Sequence, residues 1–276
     1  MMRWVCHPLH PAPWRLGIRP AGFGLVELLI ALALGLVLVL GVVQVFLASK
    51  QTFMVQRSAA ILQEDARYLL GRLSRELRML NMYGCLDLAR LPASIRATVP
   101  AALETPLIYS SDSGLDTLTL ITAVPNSESF TVSTTRRPGD YGARWLIVSN
   151  CRDTADLRIS EAADLVVRPG DLVIPLRQVD YRVNAHALQI RNNGVGNYQT
   201  LLDGVASLSL SFGLAATAGQ RQVSGAYVNE VAAHQGELIR SVKLELQLSD
   251  TPASPEQGRV LAQNFKQVVA LRNRIE

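Results

Sequence analysis

The run Phe23-Gly-Leu-Val-Glu-Leu-Leu-Ile-Ala-Leu-Ala-Leu-Gly-Leu-Val-Leu-Val-Leu-Gly-Val-Val-Gln-Val-Phe-Leu47 carries one ionisable side chain, Glu27, in 25 residues. As a helix it would extend about 37 Å, enough to cross a bilayer core of roughly 30 Å. A secretory signal peptide has a shorter apolar core followed by a small-residue cleavage site, and Phe46-Leu47-Ala48 is a poor one. A buried core helix more often stops after about 10–14 apolar residues. A plain signal anchor accounts for the length but leaves Glu27 unexplained. A carboxylate within an apolar span costs a few kcal/mol at the bilayer centre and less near the interface, so it implies a function and a partner.

Upstream of this run, Pro8, Pro11, Pro13 and Pro20 rule out a continuous helix. Arg3, Arg15 and Arg19 have no acidic residue among them, which holds the amino terminus in the cytoplasm and places everything after Leu47 on the far side. The chain has a formal net charge of +4. Without residues 1–22 it keeps 24 basic against 23 acidic side chains. No block of five or more Lys/Arg occurs, so direct nucleic-acid binding is not expected. Cys6 lies in the same leading stretch, which leaves Cys85 and Cys151 as an even pair. Their spacing fits neither a CxxC motif nor a zinc site. Outside the cytoplasm a disulfide is the natural reading, and closing so long a loop would stabilise the fold by about 4 kcal/mol. Two unpaired buried thiols are the alternative.

Downstream, no proline interrupts Gln51 to Met82, and Leu62, Ala66, Leu69, Leu73, Leu77 and Leu80 recur at intervals of three and four. This predicts one apolar stripe packed on a domain core, with Glu64, Asp65, Arg67, Arg72, Arg75, Glu76 and Arg78 on other faces. The repeat is too short to favour a coiled coil. One helix over 23–82, transmembrane over 23–47, would then serve as both anchor and spine. Gly35 and Gly41 weaken its membrane part by about 1 kcal/mol each relative to alanine.

Beyond Met82 the period changes to two. Leu118 and Leu120 alternate with threonines; Trp145–Val148, Leu172–Tyr181, Leu188–Ile190, Ala206–Phe212 and Val242–Leu248 read as strands. Asn184-Ala185-His186 turns one strand into the next. Arg137-Pro138-Gly139-Asp140 and Arg168-Pro169-Gly170-Asp171 are matching turn signals that suit a type II turn. Val260–Ile275 is a strand or short helix, with Val268-Val269-Ala270-Leu271 favouring a strand. The expected fold class is α+β: a long amino-terminal helix packed on a mainly antiparallel β domain over 83–276.

Arg19-Pro20-Ala21-Gly22-Phe23-Gly24-Leu25-Val26-Glu27-Leu28 resembles the processing signal of type IV prepilins and secretion pseudopilins. The resemblance implies a leader at 1–22, cut by a prepilin peptidase after Gly22, with N-methylation of the new terminal Phe23. It gives Glu27 a partner, the freed amine of Phe23 on a neighbouring subunit, so that opposite charges fix axial register in an apolar filament core. No proline lies in the helix, so the kink of many major pilins does not carry over.

A second set of segments resembles the PilW family of minor pilins. These are Gln63-Glu64-Asp65-Ala66-Arg67-Tyr68, Tyr83-Gly84-Cys85, Leu146–Cys151, Ala155-Asp156-Leu157, Gly204–Gly213 and Val269–Arg274. Asn150 departs from the aspartate expected there. The implied protein is a structural minor pilin that initiates, caps or supports a type IV pilus. Its expected partners are the peptidase, other minor pilins, the major pilin and a large tip adhesin. It would wait in inner-membrane lipid with a periplasmic carboxyl-terminal domain before entering the filament. A minor pseudopilin of a type II secretion system shares the signal and architecture. An uncleaved, anchored periplasmic binding or sensor domain is the rival from another class.

Enzymatic chemistry finds no support. His186 and His234 are the only histidines after Phe23, and neither belongs to an HExxH pair. No nucleophile elbow, P-loop or Rossmann fingerprint occurs, and Gly194-Val195-Gly196 reads as a hairpin loop. Ser111-Asp112-Ser113-Gly114-Leu115-Asp116 lacks the alternating ligands and closing glutamate of a calcium loop. No carboxylate pair, metal or cofactor site can be nominated.

Overall fold

The computed structural model describes residues 22, 24–112, 115–126, 128–250 and 262–271. An apolar run without proline propagates into one α-helix, α1 (Leu25–Arg78). It ends four residues short of the expected Met82. Leu80 already forms a β-bridge with Thr122, and Asn81 takes a left-handed φ of 57°, so the backbone leaves the helical path. The chain divides into two compact units, one ending at Met54 and the other beginning at Val55.

In the first unit every α1 residue is exposed, and the most apolar window has a mean hydropathy of 2.9 with none of it buried. That is the pattern of a helix whose apolar partner is a membrane rather than its own domain.

In the second unit the remainder of α1 packs on antiparallel sheets. A seven-stranded sheet has the order β1 (Leu107–Asp112), β2 (Leu115–Ala123), β7 (Leu172–Asn184), β4 (Trp145–Ser149) and β5 (Arg158–Ser160). On β7, β8 (Ala187–Asn192) continues the edge that β4 begins, and β9 (Gln199–Asp203) pairs with β8. A three-stranded sheet follows, β10 (Val205–Leu214), β11 (Ile239–Ser249) and β12 (Ala262–Ala270). A ribbon of β3 (Thr134–Arg136) and β6 (Leu165–Val167) completes the described strands.

Period-two alternation puts Leu118, Leu120, Val179, Tyr181 and Leu188 on one face of the large sheet, where they share a core with Leu62, Ala66, Leu69, Leu73 and Leu77. Leu208, Leu210, Phe212, Val242, Leu244 and Val269 from the small sheet join the same core. The stripe expected on α1 is therefore its buried face, and each fully buried leucine there contributes about 1.5–3 kcal/mol. The alternate residues Ile121, Ala123, Trp145, Ile147, Ile174 and Leu176 meet a second core. It is formed with Tyr83, Leu88, Leu91, Val99 and Leu103, from the segment after α1 that carries the short helices α2 (Ala93–Arg96) and α3 (Ala101–Glu104).

Each strand expected from sequence is present. The Asn184-Ala185-His186 turn joins β7 to β8, with Ala185 and His186 at φ 49° and 57° and Asn184 opposite Ala187. Gly194-Val195-Gly196 lies between β8 and β9. The two Arg-Pro-Gly-Asp segments are not alike. Gly170 adopts φ 86° and Asp171 N–H donates to Arg168 O at 3.0 Å, as a type II turn requires. Pro138–Tyr141 instead forms a 3₁₀ helix, which is then closed by Gly142 at φ 60°. The type II expectation for Arg137–Asp140 is thus corrected. What the two share is the aspartate, whose carboxylate accepts the arginine backbone N–H at 3.1 Å in the first and 2.7 Å in the second.

Candidate functional site

Gly22 and Gly24 are exposed, and α1 starts at Leu25 with Leu28 N–H donating to Gly24 O at 3.2 Å. Phe23 lies outside the described residues, and so does the geometry of the Gly22–Phe23 junction. Glu27 stands in the first turn of α1, where the free N–H groups and the positive end of the helix favour a carboxylate. Its side chain is exposed among apolar neighbours, and among the described residues it has no ion-pair partner. Such a carboxylate is suited to meeting a cation from outside the chain.

Cys85 and Cys151 are joined by a disulfide across 66 residues. It ties the turn following α1 to the end of β4. Gly84 adopts φ 65°, a left-handed conformation that favours glycine, and a Cβ there would also push on the ends of the Leu172 and Ile174 side chains. On the other side, Cys151 N–H donates to Ser149 Oγ, and Asn150 Oδ1 accepts from the N–H groups of Arg152 and Asp153 at 2.9 and 3.0 Å. An aspartate would accept the same bonds, so Asn150 preserves the turn.

A third constellation escaped the sequence reading. Glu76, expected on an outer face of α1, is buried at 3% exposure. Tyr181 OH donates to Glu76 Oε2 at 2.8 Å, and Arg72 Nε donates to Tyr181 Oη at 3.0 Å. Arg72 and Arg177 flank Glu76 Oε1 at 3.6 and 3.5 Å. Burial, and then the Glu76 charge, push the Tyr181 phenol well above its usual range. The group links α1 to β7 and is a structural lock, since the Glu76 carboxylate and the Tyr181 hydroxyl are engaged by each other and by Arg72 and Arg177. A tyrosine at a core position of an alternating strand was the available signal, because its hydroxyl needs a buried partner.

Other candidates are occupied or remote. His186 is exposed at its turn, and among the described residues no three His, Cys, Asp or Glu side chains come together as a metal site. Asp116 Oδ1 accepts from Ser111 Oγ at 2.6 Å, inside the β1–β2 hairpin. An open cleft of about 730 Å³ near Arg137, Arg144 and Asn193 has its charges engaged, Arg144 with Glu161 at 2.8 Å and Arg137 with Asp140 at 3.3 Å.

Residues 19–43 match the prokaryotic N-terminal methylation motif. The match covers Gly22, Phe23 and Glu27 and supports a type IV pilin-like or pseudopilin protein with a structural role. With the one helix among the described residues that is long and apolar enough to cross a membrane, it fits a single-pass, membrane-anchored protein and is consistent with processing by a prepilin peptidase and assembly with other pilins. No curated protein matches the chain.

Proposed function

We propose that this protein is a structural minor pilin of the PilW type, which helps to initiate, cap or support a type IV pilus. The observation that carries the reading is the methylation motif at the head of a helix that runs unbroken from an apolar anchor into a disulfide-linked α+β domain. Residues 1–22 form the leader, the peptidase cuts between Gly22 and Phe23, and Phe23 is N-methylated. The anchored precursor sits in the inner membrane with its amino terminus cytoplasmic and its domain periplasmic. In the filament Glu27 pairs with the amine of a neighbour's Phe23, and other minor pilins, the major pilin and a large tip adhesin are its partners. A minor pseudopilin of type II secretion fits the motif equally; the segments around Tyr83-Gly84-Cys85 and Cys151 and the arginine-rich ending favour the pilus.

Mass spectrometry of the protein from peptidase-competent cells tests the reading. Loss of residues 1–22 with a methylated Phe23 is expected, and an intact amino terminus sinks it. Glu27→Ala should still be cleaved yet fail to enter filaments; normal incorporation would refute the charge pair.

A further inference from the structure

On α1 the residues Phe46, Lys50 and Phe53 follow at i, i+4 and i+7, which places them on one face of the helix. Phe46 is 66% exposed, Phe53 is 62% exposed, and Lys50 is exposed between them. No acidic residue occurs from Leu28 to Gln63, so Lys50 has no carboxylate of its own helix within reach. Two aromatic rings bracketing a cation, directly continuous with an apolar span, have the composition of a bilayer interface. On an interfacial helix phenylalanine rings bury at the boundary of headgroups and acyl chains, and a lysine lays its methylenes along apolar surface while its ammonium reaches an anionic phosphate.

The apolar length supports the same conclusion. The apolar run from Leu25 to Leu47 is about 33 Å long, which fills a hydrocarbon core of roughly 30 Å and brings Phe46, Lys50 and Phe53 to its edge. The tilt of such a spanning helix is set by the interfacial anchors on its faces. A tilt that lowers the Phe46–Lys50–Phe53 face sinks both rings into the interface and leaves the opposite face, with Gln51, towards water.

We propose that this face is a second membrane contact, an interfacial anchor for anionic phospholipid headgroups that holds α1 inclined where it leaves the bilayer. It rests on the membrane-anchored reading of α1, and not on leader cleavage or on pilus assembly.

The test uses the full chain in vesicles of phosphatidylethanolamine and phosphatidylglycerol doped with a phospholipid brominated near the headgroup end of its acyl chains. Phe53→Trp, Gln51→Trp and Val37→Trp are compared, each read as the difference from the unmodified chain, whose Trp4, Trp14 and Trp145 set the background. Phe53→Trp should emit to the blue and lose most of its added fluorescence, while Gln51→Trp keeps its own. Lys50→Glu in the Phe53→Trp chain should relieve that quenching, and so should replacing phosphatidylglycerol with phosphatidylcholine. Equal quenching at positions 51 and 53 would mean an upright helix and would overturn the proposal. So would an unquenched Phe53→Trp, the result expected if this face instead waits for another subunit. In those cases quenching of Val37→Trp by lipid brominated near the chain ends keeps the anchor reading intact, whereas its absence would overturn both.

Discussion

Helix α1 bears two carboxylates that the fold treats in opposite ways. Glu27, in the first unit, is exposed and has no partner among the described residues. Glu76, in the second, is buried and held by Tyr181, Arg72 and Arg177. The same contrast runs through the leucines, exposed along the first unit and buried at Leu69, Leu73 and Leu77. One continuous helix therefore has a half buried within its own unit and a half that is exposed within its own unit.

Predictions that probe this contrast begin with the covalent tie. Replacing both Cys85 and Cys151 by serine should destabilise the second unit by about 4 kcal/mol, read in urea unfolding. Leu73→Ala should cost about 3 kcal/mol in the same assay, whereas Leu34→Ala should leave the transition in place. A loss from Leu34→Ala would dissolve the division between the two halves. Glu76→Ala should cost about 2–3 kcal/mol by stranding Tyr181 and two cations, and Glu76→Gln about 1 kcal/mol. By contrast, Glu27→Ala should shift unfolding by less than about 0.5 kcal/mol.

The alkaline limb of stability sharpens the comparison further. An unfolded tyrosine ionises near pH 10, while burial and Glu76 hold the folded Tyr181 phenol protonated to higher pH. The resulting stabilisation is complete below about pH 10 and is lost above it, at about 1.4 kcal/mol per pH unit. Tyr181→Phe should remove this part of the slope; an unchanged slope would mean that Tyr181 is not its source.

Much of this architecture was legible because it follows simple periods. The three-and-four spacing from Leu62 to Leu80 marks a buried helical face, and the alternation at Leu118–Leu120 or Val242–Leu248 marks strands. The three-residue strands β3, β5 and β6 were not legible, since they exist through pairing across the sequence and are too short to show a period. Glu76 was misplaced because a polar residue beside an apolar stripe reads as surface until its distant partner on β7 is known. The two Arg-Pro-Gly-Asp segments teach a similar lesson. Proline sets φ in both, but glycine tolerates either hand, so the surrounding chain decides between a 3₁₀ helix and a type II turn. At the candidate site the motif around Gly22 and Glu27 was readable outright, because it is a contiguous signal for another enzyme and not a product of folding.

The main core joins Leu62 and Ala66 to Val269 and Leu271, residues from nearly opposite ends of the second unit. During synthesis, α1 and the large sheet emerge well before β12, and Val269 and Leu271 join the core only when that strand arrives. A chain that stops short of β12 leaves Leu244 and Leu246 on an unpaired sheet edge, open to aggregation and to proteases. The sheet edge at β11 is thus open to attack for as long as Ala262–Ala270 has yet to be made.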